Sequence, residues 1–263
     1  MALGFVAATL MLGGCGAASV TATRPDMFAT RKALVNELIR REDYTRAFPQ
    51  VAALHRERPR DAEVLIMRGL IYRERGLLVE AEADLKEAIA LKKNVAAAHA
   101  ALAIVYDLTE RGEPADAAHR RAVELAPQNP VYLNNLGFSL FLRGKHRDAV
   151  SVYLKAARLD PMNRRVRNNL GYAYARVGDL PRAAREFTLA GGAAEARNNL
   201  GYAYEQRGDM VRAFDLYVEA LRLDPRLARA RKNLDHAANA LQRPIPADVP
   251  RAPSVVTENE RSR

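Results

Sequence analysis

The sequence predicts an all-α fold made of repeated helix pairs, and three observations lead to this prediction. The chain of 263 residues contains no Trp and is rich in Ala and Leu, a composition that favours helix over sheet. The octapeptide RNNLGYAY occurs twice, at 167–174 and at 197–204, and a looser copy, LNNLGFSL, lies at 133–140. Apolar residues recur at matching positions after each copy, which indicates an array of repeats of about 34 residues.

The N-terminal segment, residues 1–14, is predicted to be an export signal. Its apolar run at 3–12 is too short to span a bilayer and matches the hydrophobic region of a secretory signal. The run ends in LGGC, which resembles the bacterial lipoprotein box. The resemblance implies cleavage before Cys15, acylation of that cysteine and a lipidated tether over 15–27. The alternatives are an ordinary signal peptide and a buried helix with a lone cysteine.

The same resemblance gives an expected location. A chain anchored in this way lies in the cell envelope and faces the periplasm. Gly16 follows the cysteine in place of the Asp that retains enteric lipoproteins in the inner membrane, so the outer membrane is favoured. Cys15 is the only cysteine, and an intramolecular disulfide is therefore impossible.

Residues 28–242 are predicted to form the repeat array. The units follow the order L-G-x₂-Y, A-x₃-F and Pro, as in the stretch 200–225, with single departures in several units and a degenerate first unit. This order resembles the tetratricopeptide repeat, which has two helices and a turn per unit, and the resemblance implies a right-handed α–α superhelix. The frame gives six repeats and a capping helix, at 28–61, 62–95, 96–129, 130–163, 164–193, 194–227 and, for the cap, 228–242.

Small residues at two repeat positions predict close packing within each helix pair. Glycine at the eighth position lets the second helix approach the first, and an alanine on the second helix is small for the same reason. Proline after the second helix ends it and starts the next repeat. The glycines are Gly69, Gly137, Gly171 and Gly201, and the alanines are Ala81, Ala149, Ala183 and Ala213.

The fifth repeat is shorter than the others and lacks the LDP sequence that ends the repeats on either side of it. Gly191 and Gly192 stand at this place, and glycine readily adopts the left-handed conformation that ends a helix. We therefore expect a break between helices, which is either a hinge or a tolerated deletion. The C-terminal segment 243–263 contains four prolines and no apolar period, and it is predicted to be disordered.

The sequence contains no motif that indicates catalysis or metal binding. It lacks the G-x-S-x-G, P-loop, H-E-x-x-H and C-x-x-C patterns, so no enzyme activity, cofactor or metal is predicted. His99 and His119 stand at matching positions of one helix pair and can touch, but further ligands for a metal are missing. The formal net charge of +10 is compatible with an acidic partner or a membrane surface, whereas the export signal argues against nucleic acid.

A stripe on each first helix predicts a binding groove. The second, fifth, ninth, twelfth and thirteenth repeat positions lie opposite the packed side, and in the tetratricopeptide family this stripe lines the concave face. Amides there suit a peptide backbone and rings suit its side chains, unless curvature or the tail covers the stripe. The predicted residues are Ile104, Leu108, Asn134, Phe138, Phe141, Leu142, Asn168, Tyr172, Arg176, Asn198, Tyr202 and Glu205.

A repeat array on a lipid anchor resembles the small lipoproteins of pilus assembly, namely those of the tight-adherence pilus and the type IV pilus pilotins. The resemblance implies a scaffold that binds protein or peptide segments and assists the assembly or localisation of a pilus or secretin complex. A scaffold for outer-membrane barrel or cell-wall assembly is one alternative. A solenoid that binds nucleic acid or associates with an enzyme is an alternative of another class.

Overall fold

The structure, a computed structural model, describes residues 26–250, and over this range the chain forms twelve α-helices and no β-strand. The helices are α1 (Met27–Arg40), α2 (Tyr44–Glu57), α3 (Ala62–Glu74), α4 (Leu78–Leu91), α5 (Ala96–Leu108), α6 (Gly112–Leu125), α7 (Pro130–Leu142), α8 (His146–Leu159), α9 (Arg164–Arg176), α10 (Leu180–Glu205), α11 (Met210–Leu223) and α12 (Ala228–Leu241). The predicted all-α superhelical repeat is confirmed. The predicted export signal and Cys15 lie outside the described residues.

Contacts between helices run from one repeat to the next. Each helix contacts its neighbours in sequence, and first helices also contact the first helices of adjacent repeats, as α5 does with α3 and α7. This pattern is that of a solenoid, in which each helix pair completes its core against the adjacent pairs. No helix within 26–250 is long and apolar enough to cross a membrane.

Polar residues in the turns between repeats fix where several first helices begin. The side chains of Asp61, Asn129 and Asn163 accept backbone N–H bonds at the starts of α3, α7 and α9. Such caps satisfy donors that have no partner within the helix. The caps place α3, α7 and α9 at the same point of their repeats, so that equivalent side chains of these helices line up along the array.

The predicted close approach of paired helices is confirmed at the repeated glycines. A Cβ atom on Gly171 would lie 2.5 Å from the ring of Phe187, and one on Gly201 would lie 2.7 Å from the ring of Tyr217. Both rings are fully buried. A large ring of the second helix therefore packs directly against the glycine backbone. Any side chain at this position would displace that ring.

The expected break in the fifth repeat lies at Gly192, inside α10. Its φ of 85° and ψ of −176° belong to a backbone region that is essentially restricted to glycine. We refer to residues 193–205, which follow the break, as α10C. Arg164 spans the break, since its Nε donates to the Ala190 carbonyl at 2.5 Å and its Nη2 lies 2.7 Å from Glu195. Whether the break acts as a hinge stays a prediction.

The start of the C-terminal segment corrects the prediction of disorder from residue 243 onward. Val249 is buried among side chains of α11 and α12, and Ile245 packs at the edge of the same cluster. Arg222 of α11 holds Asp248 at 2.7 Å. Ile245 and Val249, which stand among the prolines, thus cover the apolar end of the array. Residues 251–263 lie outside the described part of the chain.

Candidate binding groove

The predicted groove residues lie on first helices that are neighbours in space. We call the surface that these twelve residues define the groove face. Large apolar side chains are exposed on it, with Leu108 at 56%, Phe138 at 46%, Leu142 at 62% and Tyr202 at 41%, while Ile104, Phe141 and Tyr172 are half-buried. Exposed apolar side chains that gather on one surface are typical of a docking site.

A cleft of about 360 Å³ opens between α7, α9 and α10C, and we call it the aromatic cleft. Five predicted residues line it, namely Phe141, Leu142, Tyr172, Arg176 and Tyr202. The remaining lining residues are Gly144, His146, Ala175, Ala203 and Gln206. The structure thus brings side chains from three repeats to one concavity, whereas Ile104, Leu108 and Phe138 lie outside its lining.

The two tyrosines of the aromatic cleft have different surroundings. The ring of Tyr172 lies 4.8 Å from that of the buried Phe187 and 6.0 Å from that of Tyr202, in edge-to-face geometry. Burial raises the pKa of the Tyr172 hydroxyl to about 12. Tyr172 is therefore a packing residue as well as a lining residue, and Tyr202 offers the more accessible ring.

His146 is a lining residue that the sequence did not reveal. It is the first residue of α8, a second helix, and its ring lies 5.1 Å from that of Phe141. Arg176 Nε donates to His146 Nε2 at 3.4 Å. Burial and the nearby guanidinium of Arg176 both lower the pKa of His146 and thus favour its neutral ring.

The asparagines predicted to hold a peptide backbone are bonded to one another across repeats. Asn134 and Asn198 are 8% and 2% exposed, which corrects the prediction that they face solvent. The side-chain amide of a following repeat donates to each predicted asparagine. The bonds run from Asn169 Nδ2 to Asn134 Oδ1 (2.9 Å), from Asn199 Nδ2 to Asn168 Oδ1 (3.0 Å) and from Asn233 Nδ2 to Asn198 Oδ1 (2.9 Å).

We call this set of bonds the asparagine clasp. It explains the paired asparagines of the RNNLGYAY copies, because the first Asn accepts from the next repeat and the second donates to the preceding one. The capping helix keeps only the second asparagine, Asn233, and carries Lys232 where the first would stand. Buried amides need such partners, since an unsatisfied one costs about 1–3 kcal/mol.

A second, more polar cleft of about 710 Å³ lies at the starts of α9, α10C and α12, and we call it the basic cleft. Its cations are Arg164, Arg165 and Arg229, and its one acid is Glu195. Arg164 pairs with Glu195. Within residues 26–250, neither Arg165 nor Arg229 lies within ion-pair distance of a carboxylate. The rest of the lining is formed by Asn168, Asn169, Asn198, Asn199, Leu227 and Ala228.

Glu205, the acid among the predicted groove residues, and the histidines His99 and His119 are hydrogen-bonded within the chain. Glu205 accepts a hydrogen bond from the Tyr217 hydroxyl at 2.7 Å, which directs its carboxylate toward α11. His119 bonds Asp107 at 2.7 Å, and His99 bonds the Lys93 carbonyl at 2.9 Å. The described part of the chain contains no group of three or more His, Cys, Asp or Glu side chains that could hold a metal ion.

Comparison with protein families matches three parts of the chain to repeat models. Residues 32–96 and 194–227 match models described as tetratricopeptide repeats, and residues 139–178 match a model described as a TPR repeat. These segments include four of the six clasp asparagines, all except Asn134 and Asn233, and all residues that line the aromatic cleft.

Curated proteins with similar sequences include the type IV pilus assembly protein PilF of Pseudomonas aeruginosa. It is 32% identical over 134 residues, which are 50% of this chain and 52% of PilF. The TPR repeat-containing thioredoxin TTL4 of Arabidopsis thaliana is 35% identical over 75 residues, 28% of this chain and 11% of that protein. The match thus spans about half the length of the first relative and far less of the second.

Solved structures with the same fold include that of Pseudomonas aeruginosa PilF. It is 25% identical with a TM-score of 0.52, and the match covers 69% of this chain and 90% of that one. YrrB, described as a TPR protein with an unusual peptide-binding site, is 22% identical with a TM-score of 0.54, covering 69% and 96%. The likeness to YrrB establishes the shared fold.

Proposed function

Because this chain belongs to the tetratricopeptide-repeat family, we propose that it is a non-catalytic scaffold whose groove face binds a segment of another protein. The observation that carries the proposal is the aromatic cleft. Leu142 and Tyr202 are largely exposed there, beside the half-buried Phe141 and Tyr172. Apolar and aromatic anchors in a concavity are the groups that contribute most to binding between proteins.

The scaffold acts in the cell envelope, in the assembly or localisation of a pilus or secretin complex. The similarity to PilF supports this role, and so does the lipoprotein-like LGGC sequence. Acylation of Cys15 would anchor the chain to the outer membrane with the groove face in the periplasm. Several acyl chains provide stable anchoring, at about 0.8 kcal/mol for each buried CH₂. The partner is then a secretin or a neighbouring assembly component.

The test compares two double variants in the producing organism after deletion of the native gene. Leu142→Ser with Tyr202→Ser alters the aromatic cleft, and Val211→Ser with Leu223→Ser alters similarly exposed apolar residues on α11. We expect only the first to lose pili and to lose co-purification of a secretin or pilus component. Normal pili in both strains, or in the deletion strain itself, would contradict the pilus role.

Membrane anchoring is tested separately with Cys15→Ser. The wild-type chain should incorporate labelled palmitate and sediment with outer membranes, and the variant should be released. A wild-type chain that takes up no label would contradict the lipid anchor. This result would not bear on the proposed binding groove. If the co-purified partner belongs to barrel assembly or cell-wall synthesis, the scaffold role would stand. The pilus role would then be wrong, and the corresponding alternative would apply.

A further inference from the structure

We propose that the groove face recognises a segment carrying an acidic residue two to four positions from an aromatic or large aliphatic residue. The acidic side chain enters the basic cleft and the apolar one enters the aromatic cleft. This inference rests on the proposed function, because it specifies the ligand chemistry of the same groove. It adds charge selectivity and a fixed spacing, which exposed apolar surface alone does not require.

The first support is charge complementarity. Arg165, Arg176 and Arg229 stand on the first helices that line the two clefts, and none of them has a carboxylate of residues 26–250 within ion-pair distance. Two other arginines of the first helices or their ends are paired within the chain, Arg167 with Glu186 at 2.7 Å and Arg143 with Asp116 at 3.1 Å. The structure therefore leaves three positive charges at the two clefts for an acidic ligand.

The second support is the spacing of the clefts. Arg165 and Tyr172 lie on α9 seven residues apart, which corresponds to roughly 10 Å along a helix. An extended peptide advances about 3.3 Å per residue, so about three residues connect the two positions. The charge of Arg229 also reaches the Tyr172 hydroxyl, where it opposes the effect of burial on the pKa. The clefts are thus close enough for one short segment to occupy both.

The third support is the asparagine clasp, four of whose asparagines line the basic cleft. Asn168 is one turn from Tyr172 on α9, and Asn198 is one turn from Tyr202 on α10C. Because the clasp bonds α7, α9, α10C and α12 to one another through partly or fully buried amides, it holds these helices in register. A fixed distance between the clefts favours a defined spacing in the ligand, since a pre-organised site loses less entropy on binding.

The experiment selects random octapeptides, displayed as fusions with a blocked C-terminus, on the purified full-length chain. We expect enriched peptides to contain Asp or Glu two to four positions from Phe, Tyr or Leu. The variant Arg165→Gln with Arg229→Gln should still enrich the apolar residue and lose the acidic one. Its matched control is Arg158→Gln with Arg185→Gln, which removes two exposed arginines of second helices and should keep the full motif.

A titration then measures the size of the effect with the capped peptide acetyl-GSEGGFLG-amide as the probe. The wild type should bind it about tenfold more tightly than the analogue with Gln in place of Glu, because two screened ion pairs contribute about 1.4 kcal/mol. The preference should decline in high salt and disappear in the Arg165→Gln, Arg229→Gln variant. Equal affinity for the two peptides, or a preference that survives in this variant, would overturn the proposal.

The outcomes separate this proposal from the proposed function. Selected peptides that lack acidic residues but fail to bind the Leu142→Ser, Tyr202→Ser variant would overturn the acidic motif and leave a binding groove in place. Selection of no peptide by the wild type would also overturn the motif, and co-purification from cells would then decide separately whether the groove binds a folded partner.

Discussion

The N-terminal half of the array, residues 26–129, and the C-terminal half, residues 130–250, share their packing but join neighbouring first helices differently. Lys32 occupies the fifth position of the first repeat and contacts Asp61 and Glu63 at 3.4 Å and 2.6 Å. In the fourth, fifth and sixth repeats the same position carries the asparagines of the clasp. An ion pair therefore acts at this position in the first repeat, while Ile66 and Ala100 occupy it in the second and third, and uncharged amides act there in the C-terminal half.

The two halves also differ in the charges that remain for a ligand. In the N-terminal half the cations of the first helices are engaged within the chain, as Lys32 is with Glu63 and Arg73 is with Glu74. In the C-terminal half Arg165, Arg176 and Arg229 have no carboxylate partner within residues 26–250. Repeats that are alike in their packing positions can thus present different binding surfaces, because the groove positions are not constrained by the core.

The largest effect is expected at the repeated glycines, where the halves differ in the side chain that covers them. Gly171→Leu should lower the free energy of unfolding by about 3 kcal/mol, because the rigid ring of Phe187 has no room to move. Gly69→Leu should cost less, since the covering side chain is the smaller Leu85, whose Cγ would lie 2.8 Å from the added Cβ. Equilibrium unfolding in urea measures both, and equal losses would contradict the assigned packing.

The two tyrosines of the aromatic cleft should differ next. Tyr172→Ala should lower the unfolding free energy by about 2 kcal/mol because its ring packs on Phe187. Tyr202→Ala should change it by less than about 0.5 kcal/mol and mainly weaken binding. Thermal melting of the two single variants provides the measurement. Similar losses of stability would place Tyr202 in the core, contrary to its exposure.

Breaking the asparagine clasp should have a smaller effect. Asn198→Ala removes the acceptor of Asn233 and the donor to Asn199, and we expect a loss of about 1.5 kcal/mol. Asn36→Ala, at an exposed position of the first repeat, should lie within about 0.5 kcal/mol of the wild type. Urea unfolding compares the two, and an unaffected Asn198→Ala variant would remove the clasp as a stabilising feature.

The smallest expected effect is a pH-dependent loss of unfolding free energy at Glu82, an ion-paired residue of the N-terminal half. The asparagine clasp should show no such pH dependence. Hydrogen bonds from Arg111 and Lys86 lower the pKa of Glu82 to about 2. A lowered carboxyl pKa contributes stability above the unfolded-state pKa of 4.5, and this contribution is lost as pH falls toward 2. Glu82→Gln should therefore cost about 1 kcal/mol near pH 6, after discounting for screening, and less than half of that near pH 3.

Urea unfolding of the wild type and Glu82→Gln at both pH values measures that difference. Asn198→Ala is the control, because amides do not titrate, and its loss of stability should be the same near pH 6 and near pH 3. A Glu82→Gln cost that grows as the pH falls would contradict the sign of the effect.

Most of the fold follows from the sequence because the packing positions repeat. Gly171 and Gly201 could be assigned from the copied octapeptide, and both lie under the rings that the repeat pattern places there. The burial of Asn198 could not be predicted from the sequence. The periodicity shows only on which side of its helix the residue lies, whereas its burial depends on a hydrogen bond from Asn233 of the next repeat. His146 was missed because it reaches the aromatic cleft from a second helix, outside the periodic stripe.

Photocrosslinking in living cells tests most directly whether the C-terminal half carries the binding surface. Benzoylphenylalanine is placed at Leu142 in the aromatic cleft, or at Asn36, an exposed groove-stripe position of the first repeat. We expect irradiation to join the first variant to a secretin or pilus assembly component and to leave the second without a partner. Crosslinks to the same partner from Asn36 alone, or equally from both positions, would contradict a binding surface confined to the C-terminal half.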